Sequence, residues 1–150
     1  MSDGIAITDC DAATTERVRR ELLAALRGSL RQTRNDHIAL AAWREPDELV
    51  GGLSADVSYG WIHIDVLWVA AGQRGQGIGR QLLRAAERRA RSLGCHSAWL
   101  DTSNPDARAF YRKLGYTAFG TLSNRDVGDP DEHRRWFLRK PLTAADQVRR

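Results

Sequence analysis

Eight residues, Gly72-Gln73-Arg74-Gly75-Gln76-Gly77-Ile78-Gly79, constrain this chain more than any others. They follow its most apolar run, Trp61 to Ala70, and lead into a stretch where Ile78, Leu82, Ala86, Ala90 and Leu93 recur at helical spacing. A strand must therefore turn abruptly into a helix. Glycines allow this turn to aim several backbone N–H groups inward. The first N–H groups of a helix lack intrahelical partners and sit at the positive end of its dipole, so such a place suits an anion, phosphate above all. From the turn alone, a phosphate site and a merely tight strand-to-helix connection stand level.

Two nucleotide readings fail on spacing. A P-loop needs Gly-Lys-Ser/Thr at the helix start, and here Gly79 is followed by Arg80 and Gln81. A dinucleotide fold needs G-x-G-x-x-G, whereas Gly75, Gly77 and Gly79 alternate strictly, and no suitable ribose-binding acid ends a following strand.

The rest of the chain supplies an alternating frame. Ile5-Ala6-Ile7 reads as a short first strand, and Asp11, Thr14 and Thr15 offer caps for a helix from about Glu16 to Leu30. His37 to Trp43 and Leu49 to Tyr59 read as strands around the Pro46-Asp47-Glu48 turn, the second bent at Gly51-Gly52. The uninterrupted apolarity of Trp61 to Ala70 suggests a central strand covered on both faces. The long helix runs from Gly77 to Leu93 with Gly94 beyond it, and Ser97 to Asp101 is a strand. Asn104-Pro105 opens a helix through Leu114 that Gly115 closes, and Tyr116 to Leu122 and Arg134 to Arg139 are the last strands. The order β-α-β-β-β-α-β-α-β-β fits a mixed α/β sheet. With 150 residues, 42% of them hydrophobic and five Trp, we expect one domain over residues 1–150, with 143–150 a loose tail.

The charge of +4 comes mostly from arginine with acids interleaved, and the arginines lack the exposed aromatics of single-strand binders, so nucleic acid ranks last among partners. Cys10 and Cys95 are too few and too far apart for a metal site or a disulfide framework, so no metal is expected. No basic-then-apolar leader opens the chain, and no run approaches the ~20 apolar residues of a membrane span. We expect a cytoplasmic protein without a membrane partner. Oligomeric state is not legible, and a homodimer is compatible with the sequence.

Arg74-Gly75-Gln76-Gly77-Ile78-Gly79 resembles the R/Q-x-x-G-x-G/A loop of the GNAT superfamily, the acetyl-CoA-dependent N-acyltransferases. A second family pattern, N-x-x-A-x-x-x-Y-x-K-x-G-F/Y, is met by Asn104, Ala107, Tyr111, Lys113, Gly115 and Tyr116. The resemblance covers residues 60 to 140 strongly and the first third by element order. It implies a single-domain, mostly antiparallel sheet of six to seven strands flanked by helices, with a splayed pair of central parallel strands. It also implies acetyl-CoA as cosubstrate. The N–H groups of Arg74, Gly75, Gln76, Gly77, Ile78 and Gly79 would cradle the diphosphate, with Arg80 in reach of CoA phosphates. Leu67, Trp68 and Val69 would splay from Ser97 to Asp101 to admit pantetheine, and an N–H near Val69 would stabilise the oxyanion. Asn104, Ala107, Tyr111 and Lys113 complete the expected cofactor set. Many relatives carry a proline where this chain has Ala71, so a softer strand-to-turn junction is expected.

Acyl transfer to an amine needs a base for the ammonium and a proton for the departing thiolate. Alternation along the central strand places His63 and Asp65 on one face and Ile62, Ile64 and Val66 on the other. A carboxylate and an imidazole in an apolar strand are costly to bury unpartnered. We read Asp65 as base or amine anchor and His63 as its partner or substitute, the alternative being that they satisfy each other and only shape the cleft. By resemblance Tyr111 is the acid beside the sulfur. Its alternative role is packing next to Ala107, Phe110 and Leu114. Asn104 is equally a helix cap, and Asp101 faces an ammonium acceptor or caps the following loop. Arg84, Arg88 and Arg91 continue a solvated face from Arg80, and the acids of 126–132 either attract a cationic acceptor or form an ordinary loop. The reading is an N-acetyltransferase acting on a primary amine of a small molecule or peptide, with a non-catalytic CoA-binding sensor as the alternative.

Overall fold

The computed structural model describes residues 4–142, so the expected tail at 143–150 lies outside the described residues. The chain divides into two compact units, Met1–Gln32 and Thr33–Arg150. In the first, α1 (Ala12–Ser29) begins four residues before the expected Glu16, because Asp11 is the cap and accepts from Thr14 N at 2.7 Å. The expected strand at Ile5-Ala6-Ile7 does not form: residues 4–11 lack regular structure, and Ile5 and Ile7 are 87% and 95% exposed. Three apolar residues have strand composition, but a strand exists only where a neighbouring backbone takes its hydrogen bonds.

The second unit is a six-stranded sheet. Its strands are β1 (Asp36–Arg44), β2 (Glu48–Ser58), β3 (Trp61–Val69), β4 (Ser97–Thr102), β5 (Thr117–Ser123) and β6 (Arg134–Pro141), in the order β1-β2-β3-β4-β6-β5. Every neighbour pair is antiparallel except β3/β4, which α2 (Ile78–Ser92) joins as a crossover. The third helix, α3 (Pro105–Lys113), follows β4. Leu82, Leu83, Ala86 and Ala90 of α2 bury against a core that includes Ile62, Ile64, Ala98, Leu100 and Leu138. Gly51 sits under α2: a Cβ there would meet Trp68 O at 3.0 Å and the Ile78 and Leu82 side chains at 3.1 Å. That glycine permits close helix approach, while the irregularity in β2 falls at Val50, opposite Ala42/Trp43. Among the described residues no helix is long and apolar enough to cross a membrane.

The middle of β3 departs from simple alternation. Ala55 pairs with Ile64 and Ser54 with Val66, so Asp65 is the extra residue of a β-bulge. The bulge shifts the phase: Leu67, not Val66, joins the core beside Ile62 and Ile64, and Val66 is 49% exposed. With Asp65 and Trp68 exposed as well, β3 is internal to the sheet but is not covered on both faces. A period-2 reading cannot register an inserted residue.

Candidate active site

The β3/β4 ladder closes only at Trp61↔Ser97, Ile62↔Ala98 and His63↔Trp99. Beyond His63, β3 runs on to Val69 and β4 to Thr102 without pairing to each other, so the two strands part and leave a cleft between them. Leu67, Trp68 and Val69 line the open end of β3.

At that end the chain enters a one-turn 3-10 segment, Ala71–Gln73. Arg74 Nε folds back to Val69 O at 3.2 Å, which pins the start of the turn. Gly75 and Gly77 have φ of +79° and +80°, the left-handed region that favours glycine. Gly77 caps α2 without any side-chain hydrogen bond, whereas Asp11 caps α1 and Asn104 caps α3 through their carboxylate and amide oxygens. The first N–H groups of α2 therefore remain for an outside acceptor. A Cβ at Gly72, Gly75 or Gly77 would meet no atom within 4 Å, so the hollow in front of these peptides is open, and helix-start N–H groups with no side chain over them suit an anion. Gly79 serves packing instead: its missing side chain lets Val69 Cγ2 and Phe110 Cζ come within 3.6 and 3.4 Å of where a Cβ would sit. Thus α3 is drawn against the turn. Arg80, Arg84, Arg88 and Lys113 line a cavity of about 580 Å³ between α2 and α3, with buried Glu87 and half-buried Lys140 also in its wall.

Asn104 is a cap: Oδ1 accepts from Asp106 N at 2.8 Å and Ala107 N at 3.3 Å. Ala107 packs at the core's margin. Tyr111 is 8% exposed, edge-on to Phe110 and to Tyr116 with ring centroids 5.1 and 5.6 Å apart. Burial pushes its phenol up to about 12, so it keeps its proton throughout the neutral range. Tyr116, the last residue of the second family pattern, is in the core and donates to Glu87 at 3.0 Å, and Glu87 also takes Lys140 Nζ at 3.0 Å. Burial and then the Glu87 charge raise the Tyr116 phenol as well.

On β3, His63 and Asp65 are not hydrogen-bonded to one another; Asp65 is exposed on its bulge. His63 instead stacks on Trp99, centroids 4.0 Å apart and planes at 14°, with Nε2 3.9 Å from Asp101 Oδ1. The other Asp101 oxygen accepts from Arg135 Nη1 at 2.5 Å. Asp101 does not cap the following loop; Thr102 Oγ1 does so, accepting from Asn104 N. Trp99 was legible as a neighbour once β3 and β4 are taken as parallel, but Arg135, 34 residues from Asp101, left no signal in the sequence. In the 124–133 loop Asp131 is spent internally, accepting from Asp126 N at 2.8 Å.

A cleft between parting parallel strands, next to an uncapped glycine-built helix start, coincides with a match to the family model described as acetyltransferase (GNAT) family over residues 7–116. This chain belongs to the GNAT acetyltransferases. It is similar to Acetyltransferase Atu2258 of Agrobacterium fabrum, 33% identical over 118 residues covering 79% of this chain and 86% of that protein. It is also similar to the blasticidin-S acetyltransferase of Streptomyces morookaense, 44% identical over 91 residues, 60% of this chain and 67% of that one. The crystal structure of an acetyltransferase from Bacillus cereus superposes with a TM-score of 0.82 at 26% identity, covering 91% and 97% of the two chains. As a GNAT protein the chain is an acyltransferase.

Proposed function

We propose that this GNAT acyltransferase moves an acetyl group from acetyl-CoA directly to a primary amine, with both compact units counted as one transferase domain working in the cytoplasm. The single observation that carries the reading is the opening of β3 from β4 beside the uncapped start of α2. The thioester supplies an acyl group already activated toward amines. The amides from Arg74 to Gly79 hold the diphosphate, and Arg80, Arg84 and Lys113 offer charge to the remaining phosphate along the α2–α3 cavity. An N–H in the Val69 region receives negative charge growing on the carbonyl oxygen. Tyr111, protonated and buried on α3, delivers a proton to the leaving sulfur. Proton removal from the incoming ammonium falls to His63, held by the Trp99 ring and the Asp101 carboxylate, with Asp65 on the bulge as the anchor nearest solvent. Strand alternation favours Asp65 as base, but the Trp99 and Asp101 partners of His63 and the exposure of Asp65 on its bulge favour the imidazole.

The test is an amine library followed by release of free CoA thiol, with blasticidin S, the compound named for one relative, as a first acceptor. Turnover on at least one amine supports the reading. Tight CoA binding without thiol release from any amine would make the chain a CoA-binding sensor.

A further inference from the structure

The turn that faces the diphosphate has an outside support. Arg44 ends β1, where it pairs with Glu48 across the β1–β2 hairpin. Its Nη2 donates to Gln73 Oε1 at 2.5 Å and to Gln76 Oε1 at 3.0 Å. Those two glutamines bracket Arg74-Gly75, where the backbone enters the left-handed region. The turn's own bonds do little to fix this stretch: Gln73 N reaches Ala70 O, Arg74 Nε reaches Val69 O, and the next backbone bond is Gln81 N to Gly77 O. Gly72, Gly75 and Gly77 have no side chains, and nothing packs where they would be. A loop so built has many conformations of similar energy, and ordering it on ligand binding costs affinity. Among the described residues no carboxylate lies within ion-pair distance of Arg44, so its guanidinium is committed to the two glutamines.

We propose that Arg44 is a positioning residue that holds the phosphate turn in its receiving shape through Gln73 and Gln76. This rests on the acetyl-CoA reading above. The hairpin thereby sets affinity for the diphosphate from β1, a strand that β2 separates from the β3/β4 opening.

The experiment compares the wild-type chain, Arg44→Ala, and the double variant Gln73→Ala/Gln76→Ala, which keeps the Arg44 charge and removes its tethers. CoA affinity is read by calorimetry, transfer kinetics with acetyl-CoA and with S-acetylpantetheine, which has no diphosphate, and amide exchange of residues 73–77 in the free protein. For both variants we expect CoA to bind about tenfold more weakly, as the loss of one or two charge-assisted hydrogen bonds implies. Exchange of 73–77 should quicken several-fold in both variants, while kcat/KM of Arg44→Ala for S-acetylpantetheine stays within about twofold of wild type. CoA affinity and turn exchange both unchanged in Arg44→Ala would overturn the inference. So would an equal loss with S-acetylpantetheine, which marks a general defect, or a loss confined to Arg44→Ala, which marks charge without positioning. A wild-type chain that does not bind CoA would instead sink the underlying transferase reading, and the free-protein exchange would still report on the tether.

Discussion

His63 Nε2 lies 3.9 Å from Asp101 Oδ1, two strands that have just begun to part bringing an imidazole and a carboxylate to the head of the cleft. Because Arg135 already holds the other Asp101 oxygen, this carboxylate is fixed before any substrate arrives. We expect His63→Gln to lower kcat by about a hundredfold, the range for loss of a general base, and Asp101→Asn by about tenfold. Asp65→Asn should raise KM for the amine more than it lowers kcat. Steady-state kinetics on the best amine decide this; an Asp65→Asn loss in kcat exceeding that of His63→Gln would restore Asp65 as the base.

Tyr111→Phe removes the proton donor and little packing, so kcat should fall at least tenfold with the melting temperature nearly unchanged. The pH profile carries a second signature. With the Tyr111 phenol near 12, no fall in rate from its ionisation should appear below about pH 11.

The same shifts act on stability at alkaline pH. Both Tyr111 and Tyr116 have phenols raised in the folded state, so the stability they contribute is whole below the unfolded value near 10 and is lost as pH climbs toward the folded values. Melting temperature should drop from about pH 10 upward, and phenolate absorbance from these two residues should rise only well above pH 10. Tyr111→Phe and Tyr116→Phe should each subtract from that late amplitude; early titration of either would refute the assignment.

Gly77 offers a test of the phosphate cradle separate from folding. A Cβ there meets no protein atom, so Gly77→Ala carries only the left-handed backbone penalty of about 1 kcal/mol. CoA affinity should nonetheless fall tenfold or more, because the methyl group occupies the hollow. Calorimetry showing unaltered CoA binding would place the diphosphate elsewhere.

Glu87, 2% exposed, is the buried acid of α2, and its loss leaves Lys140 without a partner beneath the α2–α3 cavity. Glu87→Ala should destabilise by about 3 kcal/mol, and adding Lys140→Met should recover part of this. A double-mutant cycle by denaturant unfolding measures it; strict additivity would show the pair to be uncoupled.

What the sequence determined by itself was local. The strand-to-helix turn and the helix ends at Gly94 and Gly115 follow from short-range backbone chemistry, Asp11 and Asn104 stand among the candidate caps, and residues 74–79 and 104–116 carry the family pattern. Only tertiary structure decided which side chains meet. The bulge at Asp65 resets alternation because Ser54 and Ala55 on β2, not β3 itself, fix the register. His63 finds Asp101 and Trp99 because α2 returns the chain parallel to β3, and Arg135 and Arg44 reach their partners across 34 and about 30 residues of chain. Ile5-Ala6-Ile7 shows the converse: strand composition without a neighbouring backbone yields no strand, since the hydrogen bonds that make one belong to two segments at once.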